Sequence, residues 1–261
     1  MKNKATISFE VFPPKNKEGD ISSIYRTIDE LAKLNPDFIS VTYGAGGSTK
    51  EEVLAMCQQL KDNNIENILS LRGDYPRDDS FDKEKLEFHY AKDLNTLITN
   101  EFPHDFCLSG ACYPEVHTDA ACFEDDLKAL KEKVEAGAEY LITQIFFDNN
   151  YYYRLVKEAR KRGITVPILA GIMPITNSKS LLHTAKMCGC SIPYQLSTMI
   201  ESYYNYPSAM KEIGINYATH QIIDLITNGV DGIHIYTMNR PEIAQAIFRN
   251  IPTVLKELNH E

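Results

Sequence analysis

The chain has 261 residues, 43% of them hydrophobic and 24% charged, with a net charge of −9, which gives an ordinary globular core and excludes the basic stripe of a nucleic-acid groove. A few local Arg, Lys or backbone N–H groups can still hold an anionic small ligand. No apolar run approaches the ~20 residues of a membrane span, and the N-terminus enters a strand-like segment with no signal-peptide apolar region, so a cytoplasmic location is expected. The six cysteines are scattered in apolar surroundings and read as free thiols of a reducing compartment. Cys188-Gly189-Cys190 lacks a second ligand pair at metal spacing, so no structural zinc is expected.

In chain order, Ala5–Phe12 alternates and is β-rich, and it stops at Pro13-Pro14. Ile24, Ile28, Leu31 and Leu34 have helical spacing over 21–34. Phe38–Tyr43 reads as a second strand, closed by the Gly-rich Gly44–Thr49, and 51–62 as a helix. Ile65–Leu71 is a third strand ending in Arg72-Gly73-Asp74, followed by a polar loop and a helix over 85–99. Strands at 106–112, 140–147 and 166–172 alternate with helices at 124–136 and 151–162. Helices follow at 178–187, 193–203 and 208–228, then a seventh strand at 232–238 and a last helix over 241–258.

Strict β/α alternation without a linker or composition break predicts one α/β domain, residues 1–261, with a parallel sheet. Pro13-Pro14 stands where a dinucleotide-binding fold has its Gly-rich turn, which weakens that solution. Polar residues cluster at the C-terminal ends of at least five strands, which converge on one mouth in a closed barrel. The expectation is a TIM-type (β/α) barrel, although only seven of its eight strands are readable.

The candidate site residues sit at those strand ends. Gln144 interrupts an apolar run, and a buried amide needs a partner in backbone, side chain or ligand. Glu10 lies beside Phe9 and Phe12; apolar surroundings favour a neutral carboxyl suited to acid catalysis, whereas simple alternation would face it to solvent. Gly73 lets backbone approach a ligand closely, and Asp74 either binds a heterocycle or caps a turn. His117 binds a ligand oxygen or packs structurally. Lys131 and Lys133 are surface charges or phosphate ligands. Tyr236, Met238, Asn239 and Arg240 form a ligand rim after the last strand. Neither a nucleophile elbow nor a P-loop is present, and nothing points to a metal. Composition and spacing stop at a barrel enzyme for a flat ligand with polar edges.

Seven segments carry a resemblance: Ser8–Pro14, Val41–Thr49, Leu71–Asp74, Tyr113–His117, Thr143–Asp148, Gly171–Ile175 and Tyr236–Arg240. In this order they resemble the bacterial FAD-dependent methylenetetrahydrofolate reductases almost end to end. The resemblance implies a flavin-bearing barrel in which NAD(P)H reduces FAD, and the flavin passes hydride to methylenetetrahydrofolate in the one-carbon metabolism that feeds methionine synthesis. It implies catalytic roles for Glu10 as general acid, Asp74 near flavin and pterin, and Gln144 serving folate and nicotinamide in turn. Thr42, Arg72, Gly73, Asp74, Tyr90, Ala91, Ala111, Tyr113, His117, Asp126, Lys133 and Tyr236 fall at FAD-contacting positions, and Glu10, Gln144, Met238 and Arg240 at substrate-binding ones. The family self-associates, so a homo-oligomer is expected; an impaired relative leaning on an electron-transfer partner subunit is the alternative.

Three features depart from the family pattern. About thirty residues, roughly one βα unit, are missing after Thr49, which accounts for the count of seven strands and removes a flavin-contacting His. Ser178 replaces an aromatic that stacks on substrate. Ala129 and Glu132 replace polar or basic FAD contacts.

Overall fold

In the computed structural model the described residues are 4–13, 21–42, 49–71 and 86–258. They form one seven-stranded, all-parallel sheet: β1 (Thr6–Val11), β2 (Phe38–Val41), β3 (Asn67–Ser70), β4 (Cys107–Cys112), β5 (Ala138–Thr143), β6 (Ile168–Ile172) and β7 (Gly232–Tyr236). The order β2-β1-β7-β6-β5-β4-β3 is that of a barrel wall, and it curls without closing. Among the described residues β2 and β3 pair on one side only, so the wall is open between them. The βα unit that the resemblance implies is missing after Thr49 would fall at this place.

Helices cover the outer face: α1 (Ile21–Ala32), α2 (Lys50–Asp62), α3 (Ala91–Glu101), α4 (Phe123–Glu135), α5 (Asn149–Lys161), α6 (Ser178–Cys188), α7 (Tyr194–Tyr203), α8 (Pro207–Thr227), α9 (Pro241–Asn250) and α10 (Pro252–Leu258). Strand alternation divides the sheet. Phe9 and Val11 are buried on the helix side, where Phe9 meets Phe248 at 5.6 Å between ring centroids. Ser8 and Glu10 point inward with His234 and Tyr236 of β7. Phe38 of β2 packs edge-on against Tyr140 of β5 at 6.0 Å, which fills the interior from opposite walls. β6 is buried along its whole length, as a strand covered on both faces must be.

α2 sits on the β3 side of the opening. Its Cys57, Val53 and Leu60 share an apolar cluster with Ile68, Ile98, Phe106 and Leu108, and no residue of β1 or β2 joins it. Its N-terminus is fixed by a capping box: Glu52 N–H donates to Thr49 Oγ1 (3.3 Å) and Thr49 N–H donates to Glu52 Oε2 (2.9 Å). No helix among the described residues is long and apolar enough to cross a membrane.

Three element boundaries differ from the expected ones for identifiable reasons. The helix expected from 85 begins at Ala91, because Asp93 Oδ2 accepts the N–H groups of His89 (3.1 Å) and Tyr90 (2.9 Å) and closes the first turn there. The strand expected to run to Phe147 ends at Thr143: the carbonyls of Phe146 and Phe147 accept from Gln221 Nε2 (3.2 Å) and Tyr217 Oη (2.6 Å) on α8 rather than from a neighbouring strand. The last helix is two, broken at Ile251 (φ −130°), since Pro252 has no N–H and disfavours helical backbone before it.

α8 lies against the segment that follows β6. A Cβ on Gly214 would stand 1.7 Å from the backbone oxygen of Ile175, so only glycine allows this approach. Gly214→Ala must push α8 away from the wall and is expected to cost about 3 kcal/mol, read as a lower denaturant midpoint at unchanged slope; an unchanged midpoint would show that α8 is not seated this closely.

Candidate functional site

Because all strands are parallel, their C-terminal ends share one side of the sheet, and two groups of polar side chains meet there. The first is built on β1. Register places Glu10 between Ser40 of β2 and Tyr236 of β7. Glu10 is 9% exposed, so it does not face solvent. Thr42 Oγ1 donates to its Oε1 (2.5 Å), and its Oε2 lies 3.4 Å from Nε2 of the fully buried His234. His234 Nδ1 is 2.8 Å from Ser8 Oγ. The aromatic surroundings expected for Glu10 are therefore corrected: Phe9 lies on the other face of the sheet, and the carboxyl is held by a hydroxyl and an imidazole.

Tyr236 crosses the mouth above β6. Its hydroxyl donates to Thr143 O (2.9 Å), and burial raises its phenol well above the usual range. Gly171 makes the crossing possible, since a Cβ there would meet Thr143 O at 2.2 Å and the Tyr236 ring at 2.8 Å. Gln144 follows directly. Its N–H donates to Cys112 O (2.7 Å) and its Oε1 accepts from Ile145 N–H (2.8 Å). Among the described residues no acceptor meets its Nε2, which leaves that group available to a ligand.

The second group lies at the end of β4 and on α4. Asp126 Oδ2 accepts from His117 N–H (2.9 Å), and burial raises its carboxyl against that hydrogen bond and the nearby Lys133. His117 Nδ1 accepts from Asp119 N–H (2.9 Å), so its proton stands on Nε2; the ring packs edge-on to Tyr113 at 4.4 Å. Lys133 Nζ donates to Ala111 O, and burial lowers its ammonium. The stem of Lys133 fills the space of a missing side chain, since a Cβ on Gly110 would lie 2.4 Å from its Cδ. Lys133, His117 and the half-buried Asp126 thus gather at one end of the sheet.

Other expected residues lie further out. Tyr90 and Ala91 begin α3, with Tyr90 exposed beneath Lys92. Met238 and Asn239 both have positive φ (52° and 57°), and Met238 is exposed, as is Arg240 at the start of α9. The Asn239 amide clamps Phe12, accepting its N–H and donating to its carbonyl, both at 2.8 Å. Arg72, Gly73 and Asp74 lie outside the described residues. Lys131 faces Glu135 on the surface of α4. Ser178 is buried and its hydroxyl has no partner among the described residues. Glu132 pairs with Lys92 (2.7 Å) and ties α4 to α3. Among the described residues no cluster of His, Cys, Asp or Glu could hold a metal.

Sequence reading passed over Ser8, His234 and Thr143. The signal was present: Ser8-Phe9-Glu10 and His234-Ile235-Tyr236 have the two-residue spacing of side chains on one strand face. Chemically, the arrangement offers a buried carboxyl in a hydrogen-bond network, an amide donor that meets no acceptor among the described residues, and a second polar group around Lys133 at the same strand ends.

A family model described as methylenetetrahydrofolate reductase matches residues 1–63 and again 48–252. Residues 48–63 are matched twice, so one helix answers to two family positions. A 5,10-methylenetetrahydrofolate reductase of Escherichia coli is 34% identical over 276 positions, covering 95% of this chain and 90% of the relative. That of Pectobacterium carotovorum is 33% identical with the same coverage. Methylenetetrahydrofolate reductase (NADH) 1 of Arabidopsis thaliana is 31% identical over 95% of this chain and 48% of its own length; the chain spans about half the length of the curated plant relatives it matches. Among solved structures, an uncharacterized protein from Clostridium thermocellum, described as binding two copies of 5-methyl-5,6,7,8-tetrahydrofolic acid, superposes with a TM-score of 0.65 at 17% identity over 98% of this chain and 95% of that one.

The thiol of Cys112, beneath this surface, is fully buried and pushed up to about 12, whereas Cys122 is exposed. At pH 8 only about one Cys112 in ten thousand is thiolate, so a thiol reagent should label Cys122 first and Cys112 only after unfolding. Because the folded value exceeds the ordinary one of 9.0, the unfolded chain releases this proton first, and the Cys112 contribution to stability falls as pH rises from about 9 towards 12. Rapid native labelling of Cys112 would contradict a closed β4 end.

Proposed function

Since the chain belongs to the methylenetetrahydrofolate reductase family, we propose that it reduces 5,10-methylenetetrahydrofolate to 5-methyltetrahydrofolate, with FAD as the bound cofactor and NAD(P)H as the electron source. The observation that carries this reading is Glu10: a carboxyl almost withdrawn from solvent, held by Thr42 and facing His234 at the strand ends. The match to the Clostridium thermocellum structure concerns the fold, and that protein's methyltetrahydrofolate is in keeping with the same ligand class here.

The residues present fit a flavin dinucleotide. The Lys133 ammonium and His117 Nε2–H would meet its phosphates, and Asp126 would accept from a ribose hydroxyl. Gln144 Nε2 is the free donor on the same surface, suited to a folate carbonyl and a nicotinamide amide in turn. Bound FAD would supply the two-electron step, taking hydride from the nicotinamide and giving it to the folate. The chain's own part is to bind and orient the two ligands and to move one proton. Opening the folate's five-membered ring to an electrophilic iminium requires a proton on the departing nitrogen, and Glu10 supplies it as general acid. Thr42 and His234 fix the carboxyl so that the proton is delivered from one direction. Tyr236, whose hydroxyl is engaged by Thr143 O, forms a rigid side of the cleft and not a proton donor.

The open wall favours a second reading, an impaired family member that depends on a partner subunit. The two readings separate on one protein: turnover by the purified chain alone with NAD(P)H and methylenetetrahydrofolate supports the first, and flavin binding without folate reduction supports the second.

Glu10→Gln tests the assigned acid. The variant should keep its flavin and oxidise NAD(P)H with an artificial acceptor, while folate reduction falls by about 10²–10⁴-fold. Equal loss of both half-reactions would remove Glu10 from the role.

A further inference from the structure

The two ends of the curled sheet have the composition of interior strands. β2 (Phe38-Ile39-Ser40-Val41) pairs with β1 alone and β3 (Asn67-Ile68-Leu69-Ser70) with β4 alone among the described residues. Natural edges are blunted by charge, proline or a bulge because an open row of N–H and C=O groups recruits other strands. Neither strand carries a charged residue or a proline. Val41 ends β2 at 55% exposed, and Leu71 follows β3 at 42%. A strand paired on both sides needs no such protection.

A second, independent observation comes from the relatives. The Escherichia coli alignment runs over 276 positions but covers 95% of this 261-residue chain, so the relative carries about 28 positions that this chain lacks, close to one strand and one helix. The family model matches 48–63 twice, which sets the loss beside α2. Among the described residues the apolar cluster that holds α2 is on the β3 side of the opening. The missing pieces are therefore the strand between β2 and β3 and the helix that would cover β2.

We propose that the opening, unfilled among the described residues, is a strand position that accepts one extended segment of another polypeptide, paired parallel to both β2 and β3. β2 and β3 run in the same direction, because every pairing in the sheet is parallel. A single parallel strand satisfies both edges at once. A second copy of this chain does not: two-fold symmetry sets like edge against like edge, antiparallel, and leaves the other edge unmet. The occupant is about as long as the four-residue strands flanking it. It is uncharged on the side that meets Phe38 and the interior, and apolar on the side that meets the helices.

Hydrogen exchange on the full chain tests this, with a synthetic peptide of the segment that the Escherichia coli relative has and this chain lacks as the probe. In the chain alone, β2 and β3 amides should exchange much faster than those of β6 and β7. One peptide per chain should slow both edges together by about tenfold or more, and a scrambled peptide should not. The proposal is overturned if both edges are already as protected as β7 in the chain alone, since the wall then closes on itself. It is also overturned if the peptide protects one edge or neither, if the scrambled peptide does as well, or if raising the protein concentration alone protects them. None of these outcomes depends on flavin or folate chemistry, so the result stands apart from the proposed activity.

Discussion

The parallel pairing of β1 with β7 is the constraint on which the site depends. It joins the first strand to the last, from Thr6 opposite Gly232 to Glu10 opposite Tyr236. Close approach is built in: a Cβ on Gly232 would lie 2.7 Å from Thr6 O. Above the ladder, Thr237 Oγ1 donates to Glu10 O (2.7 Å) and the Asn239 amide clamps Phe12. The register alone decides that Ser8, His234 and Glu10 share the inner face. A slip of one residue would turn Glu10 towards the helices and put Phe9 inside. The two left-handed residues, Met238 and Asn239, are the local conformational cost of turning the chain so that the Asn239 amide reaches Phe12.

The same sheet explains why a barrel with an open wall can hold a site. Long-range pairing runs unbroken from β2 through β1 and β7 to β3; the ends of β1, β7 and β5 carry Glu10, Tyr236 and Gln144, while His117 follows β4 and Lys133 stands on α4 beside it. The opening lies opposite this arc. Among the described residues Thr42, next to β2, is the one side chain that links the open edge to the Glu10 carboxyl. Motion of the β2 edge would therefore reach Glu10 through the β1–β2 ladder and this hydrogen bond, whereas the Lys133 group is carried by α4 and β4, further along the sheet.

Much of the architecture was legible because strand and helix periods alternate without interruption, and the strand count of seven matches the sheet. One boundary failed where long-range side chains decide it, while the other two turn on local features, Asp93 and Pro252. Tyr217 and Gln221, some seventy residues away, end β5 at Thr143 by taking the carbonyls that would continue it. For Glu10, neighbours in sequence suggested an aromatic setting, but neighbours in a strand alternate faces, and the true partners come from β2 and β7. His234 was missed although its two-residue spacing from Tyr236 puts both on one strand face; that this face meets Ser8 and Glu10 is decided by the β1–β7 register. Lys133 differs, since its position on α4 was read correctly but its desolvation depends on Gly110 leaving room for the stem.

The proposed activity requires a bound flavin that the nicotinamide reduces and the folate then reoxidises, each using the Gln144 position in turn. The most direct measurement is the visible absorbance of the purified chain saturated with FAD, followed without oxygen as NADH or NADPH and then methylenetetrahydrofolate are added. The predicted result is loss of oxidised-flavin absorbance with the nicotinamide and its return with the folate. Failure to bind FAD, or a reduced flavin that the folate leaves unchanged, would contradict it.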